Sequence, residues 1–198
     1  MEISQSKSDQ NFPYTSRLLF FAFQILCRIL GIAFTLASFV LMVKNKQTMQ
    51  VFGITFMATY KYSTAFRFFV AVDAVACLLG LLALIFVFLP VQGTVKFIFQ
   101  FILDLMVTLG MVAGCSAAVA YGWIGKYGNT YTAWAAICNS FGAFCDGAQI
   151  SIGMAAAGSL LFLISMLYSV INSRKISEDK VRDERQIGNA DIEARGVE

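Results

Sequence analysis

Histidine is absent from the 198 residues, and only 14% of them are charged. Only two of the five cysteines, Cys138 and Cys145, lie outside the apolar runs, and with no imidazole they fall short of the four ligands that usually hold zinc, so no metal site is expected. None of the asparagines at 11, 45, 129, 139, 172 and 189 begins an Asn-x-Ser/Thr sequon, so glycosylation gives no clue to sidedness. Nor does any stretch pair a nucleophile with a base or form a phosphate loop. Catalytic residues, bound cofactors and a nucleic-acid partner are therefore not expected.

What the chain has in excess is hydrophobic residues, at 58%, with a mean hydropathy of +0.70. Four apolar runs cover residues 18–43, 68–89, 95–121 and 150–171. Each exceeds the roughly 18 to 20 residues a helix needs to cross about 30 Å of hydrocarbon. Continuous runs of this length exclude a transmembrane β-barrel, whose strands alternate in short segments. The first run is too long for a signal-peptide core and has no small-residue cleavage pattern behind it, so it reads as an anchor. The expected fold is an all-α integral membrane protein, a four-transmembrane-helix bundle. Polar tails at 1–17 and 172–198 flank it, with outer loops at 44–67 and 122–149 and an inner loop at 90–94. In the closing tail, Glu178 with Arg182 and Lys180 with Glu184 stand at i,i+4, so it reads as a solvated helical extension.

Four spans put both termini on one side. That side carries nine Lys and Arg residues against five on the other, which favours cytoplasmic termini. Cys138 and Cys145 then fall in the loop between the third and fourth spans, on the oxidising side, where a disulfide persists. Cys27, Cys77 and Cys115 lie within spans and read as small apolar packers.

The stretch FQFILDLMVTLGMVAG, residues 99–114, places Asp104 in the middle of the third span. A charge at the centre of a membrane helix costs about 2.5–3.5 kcal/mol on insertion scales, so it requires a partner or a proton. Arg28, in FQILCRILGIAF of the first span, lies at the same depth, roughly 15 Å from the boundary at 1.5 Å per residue. A bidentate Arg28–Asp104 ion pair is the economical solution. The competing use of Asp104 is a proton or ion relay, in a small channel or transporter. Such a path needs polar residues at several depths, and Thr108 alone stands one turn above the acid. Asp73 and Arg67 fall in the first two turns of the second span, where charged side chains can snorkel to the interface. Gly110, Gly114, Ala118 and Gly122 repeat every fourth residue on the third span, and Gly153 with Ala157 on the fourth. Stripes of this kind let helix backbones approach closely in lipid.

Taken together, these features resemble the plant CASP-like proteins, of the family named after the Casparian strip membrane domain proteins and distantly similar to MARVEL domains. The resemblance rests on the four-span plan, on Arg28 and Asp104, and on VKNKQT closing the first span. It rests further on KYSTAFRFFVAVDA entering the second and on WAAICNSFGAFCDGAQISI leading into the fourth. It covers residues 16–173. Membership implies a non-enzymatic plasma-membrane scaffold that assembles with itself and with related members, as homo- or heterodimers or larger oligomers, into immobile platforms. In the best-known members such platforms recruit secreted wall-modifying enzymes and mark where lignin is deposited. The first outer loop here, TMQVFGITFMATYKYSTAFR, lacks the longer signature of true Casparian strip formers. The chain is thus closer to the broader CASP-like group and its first subfamily.

Overall fold

A computed structural model describes residues 11–51, 53–88 and 94–195. Helix α1 spans Asn11–Lys44, α2 Thr64–Phe88, α3 Thr94–Tyr127 and α4 Gly142–Arg195. The segments long and apolar enough to cross a membrane are Ala22–Lys44, Thr64–Phe88, Ile98–Tyr127 and Gly142–Ile171. In hydrocarbon a helix satisfies its own backbone polar groups, which is why continuous apolar runs take this form. The chain is a multi-pass, four-helix membrane protein.

The expected all-α four-helix bundle holds, and one short hairpin outside the spans is added to it. Within the outer loop assigned to 44–67, Lys46–Val51 (β1) and Ile54–Thr59 (β2) pair antiparallel, with Val51 opposite Ile54 and Lys46 opposite Thr59. The two-residue connection uses Gly53 at φ +80°, a left-handed conformation that glycine adopts without steric cost. Ile54, Thr55, Phe56 and Thr59 favour a strand, although the first four residues of β2 are exposed, and the segment is too short to register beside the long apolar runs. The hairpin leaves room for α2 to begin at Thr64, and α1 already runs from Asn11, inside the expected tail.

Gly128, at φ +70°, ends α3 and donates its N–H to Ile124 O at 2.8 Å. A Cβ there would stand 2.5 Å from Trp134 O, so only glycine fits. Asn129 and Trp134 then exchange backbone hydrogen bonds at 2.9 and 3.0 Å and close the turn. The expected tail extension is helical, since α4 continues unbroken to Arg195. The side chains of Glu178, Lys180, Arg182 and Glu184 lie outside the described residues, as do residues 1–10 and 89–93.

Around the bundle α1 packs on α2 and α4, α2 on α3, and α3 on α4, so the helices form a closed ring in chain order. Phe69, Met111 and Phe162 are among the large apolar side chains fully buried inside it. Phe162 of α4 fills a cradle made by Gly31 of α1 and Gly80 of α2, where a Cβ would meet its ring at 3.1 and 3.0 Å. Toward the loop end Phe66 packs edge-on against Tyr121 and Phe144, at centroid separations of 5.2 and 6.0 Å.

Candidate functional site

Arg28 and Asp104 meet inside the ring. Arg28 Nη1 donates to Asp104 Oδ1 at 2.9 Å, and Nη2 donates to Oδ2, a bidentate fork with both residues at 0% exposure. Because α1 and α3 are diagonal in the ring, the pair spans its middle and clasps the two helices that do not sit side by side. Thr108 Oγ1 donates back to Asp104 O at 2.8 Å, the bond expected of a hydroxyl one turn along a helix. Arg28 Nε has no hydrogen-bond partner among the described residues.

A second polar layer lies roughly 15 Å nearer the loop end, counting 1.5 Å per residue from Arg28 to Ser38 along α1. Here the structure corrects the interfacial reading of Asp73. It is not an interfacial, snorkelling acid but is fully buried. Its Oδ2 accepts from Ser38 Oγ at 2.6 Å, while Oδ1 has no partner among the described residues. Ser151 Oγ of α4 donates to Ser38 O at 2.9 Å and stands 3.2 Å from Ser38 Oγ, so one residue each of α1, α2 and α4 converges. Between the layers Cys77 Sγ donates to Thr35 Oγ1 at 3.3 Å. Polar groups therefore occupy several depths of the interior, beyond the single threonine seen from sequence. Arg67, by contrast, is exposed.

The sequence alone carries no signal for the burial of Asp73, because α2 is apolar almost all round. The buried residues of α2 are Phe66, Phe69, Val70, Asp73, Ala76, Cys77, Gly80 and Ala83, a three-and-four repeat that marks one helix face. Position on that face, rather than distance from the helix end, decides its burial.

The small-residue stripes divide. Gly110 and Gly114 lie against Val72 of α2, and Ala118 is fully buried, so this stripe serves the α2–α3 contact. Gly122 and Gly153 would meet nothing within 4 Å if given a Cβ, and Ala157 is half-buried, so Gly153 contributes no close helix approach. The tight crossing falls instead at Gly158, where a Cβ would stand 2.9 Å from Thr35 Cγ2 and 3.2 Å from Gly31 O.

At the loop end Cys138 and Cys145 form a disulfide, with Cα atoms 5.7 Å apart. The first turn of α4 is also held from the other loop. Asn45 Nδ2 donates to Phe144 O at 2.7 Å, and Phe144 N donates to Gln47 Oε1 at 2.9 Å. Gly147 gives Asn45 the room to do this, since a Cβ there would lie 2.8 Å from Asn45 Nδ2. Beside the disulfide, between α3 and α4, opens a cavity of about 630 Å³.

The Casparian strip membrane protein domain matches residues 19–161, a stretch that includes all four of Arg28, Asp104, Cys138 and Cys145. The chain is 37% identical over 175 residues to CASP-like protein 1F1 of Vitis vinifera, covering 87% of this chain and 85% of that one. It is 40% identical over 148 residues to CASP-like protein 1F2 of Ricinus communis, covering 73% and 74%. With CASP-like protein 1F1 of Populus trichocarpa the identity is 36% over 179 residues, covering 89% and 99%. No solved structure matches the chain. A four-helix membrane bundle with this domain and these relatives belongs to the Casparian strip membrane protein family, in its CASP-like subfamily 1.

Proposed function

We propose that this protein is a non-enzymatic scaffold of the plasma membrane, with both termini cytoplasmic, that self-associates into platforms and organises local modification of the cell wall. Its partners in this reading are membrane lipid, further copies of itself, related family members and secreted wall-modifying enzymes. The observation that carries it is the sealed Arg28–Asp104 fork. Its two charges are spent on holding diagonal helices together, as suits a rigid bundle whose apolar outer faces remain available to neighbours. The test is photobleaching of a fluorescent fusion in plant cells. A patterned membrane signal that fails to recover, with co-purification of differently tagged copies, supports a platform; a mobile, uniform signal with no co-purification rejects it.

One observation favours a second reading, a small channel or transporter. Polar groups stand at several depths, and Asp73 Oδ1 is left without a partner among the described residues. Ion flux through the purified protein in liposomes separates the two, because the scaffold predicts none.

A further inference from the structure

The cavity beside the disulfide has chemically distinct ends. Lys126, Asn139 and Asp146 line it toward the loops, whereas Val119, Ile152 and Gly153 line it toward the bilayer interior. It follows α3 for roughly 10 Å from Lys126 to Val119 and α4 for roughly 16 Å from Gly142 to Gly153, at 1.5 Å per residue. Both stretches lie within membrane-crossing segments. Trp123 and Tyr127, exposed on its α3 wall, have the amphipathic rings that settle at the headgroup level. Its volume falls within the roughly 300–1,000 Å³ of ligand sites.

Two features argue for a ligand rather than slack packing. Gly122 and Gly153 both border the cavity, and neither would meet an atom within 4 Å if given a Cβ, so the missing side chains help keep the space open. Lys126 and Asp146 bring opposite charges to opposite walls. Among the described residues they make no ion pair with each other, and Lys126 Nζ instead stands 5.7 Å from the Tyr127 ring centroid. Such a site offers an anion partner, a cation partner and an apolar lower end open toward lipid.

We propose that this groove binds one zwitterionic phospholipid from the leaflet at the loop end. Its phosphate lies toward Lys126, its quaternary ammonium toward Asp146 on the α4 wall, and its first acyl methylenes run along Gly122 and Gly153. The disulfide, which lines the same cavity, fixes the α4 wall against which the headgroup rests.

The chain has two tryptophans, so Trp134→Phe leaves Trp123 as the sole indole reporter. Delipidated protein in detergent is titrated with phosphatidylcholine brominated on its acyl chains, and Trp123 quenching is followed. Saturable quenching is expected, with the half-quenching concentration raised at least tenfold by Gly122→Leu or Gly153→Leu and at least threefold by Lys126→Glu. Two filling variants are used so that one that fails to elute as folded protein can be replaced by the other. Brominated phosphatidylglycerol, which lacks the ammonium, should need several-fold more lipid than phosphatidylcholine. Water-soluble glycerophosphocholine should not relieve the quenching. Identical curves for wild type and both filling variants would mean annular lipid only and overturn the site. Equal binding of brominated diacylglycerol would overturn the headgroup assignment, and displacement by glycerophosphocholine would overturn the lipid itself.

Discussion

Removing one member of a buried ion pair leaves the other charge without a partner where water cannot reach it, at a cost of about 3–5 kcal/mol. Arg28→Leu or Asp104→Leu alone should therefore sharply lower surface abundance, while the double change should recover much of it, because no orphan charge remains. Quantitative surface labelling of the four variants checks this; a double variant no better than the worse single one refutes the pairing role. At Asp73 the acid's one side-chain hydrogen bond among the described residues comes from Ser38. Ser38→Ala should lower detergent-solubilised stability by about 1–3 kcal/mol, the cost of stranding a buried polar group. Asp73→Asn should be milder, since its amide oxygen still accepts from Ser38. Thermal unfolding ranks the two.

Among the elements, α4 is held at its first turn by the Cys138–Cys145 bond and by Asn45 and Gln47, and at mid-membrane by Gly158 against α1. Replacing either cysteine by serine should cost roughly 2.5 kcal/mol by the loop-entropy relation for so short a ring. Mass spectrometry of unreduced peptides verifies the link, and free thiols in protein from the cell surface would contradict it. Gly158→Ala drives a methyl group into Thr35 and the Gly31 carbonyl and should destabilise by about 1–3 kcal/mol, the usual toll of overpacking. Gly153→Ala should be close to neutral, since nothing lies within 4 Å. Unfolding midpoints of the two variants test the contrast. Both glycines sit on α4, and the surface each one faces separates them.

For the whole molecule, the proposed cytoplasmic termini would make the loop end extracellular. Lys126→Cys should then react with an impermeant thiol reagent on intact cells; labelling only after permeabilisation would reverse the orientation. The four helices were legible in the sequence because hydropathy is a local, additive property: some twenty consecutive apolar residues cannot remain in water, and in lipid they must close their hydrogen bonds internally. The Arg28–Asp104 match was legible because depth in a bilayer follows from counting residues at a fixed rise. The rotation of each helix about its own axis could not be counted in this way. That rotation decides whether Asp73 meets Ser38 or the interface, and whether a glycine meets Phe162, Thr35 or an open cavity. Nor could hydropathy show a hairpin whose two strands bury little and depend on each other's backbone for their hydrogen bonds. The sequence by itself thus determined how many times the chain crosses the membrane and at what depth its charges lie. The tertiary structure alone decided which polar groups face one another, because that depends on helix faces and ring order, which belong to the assembled bundle and not to any one segment.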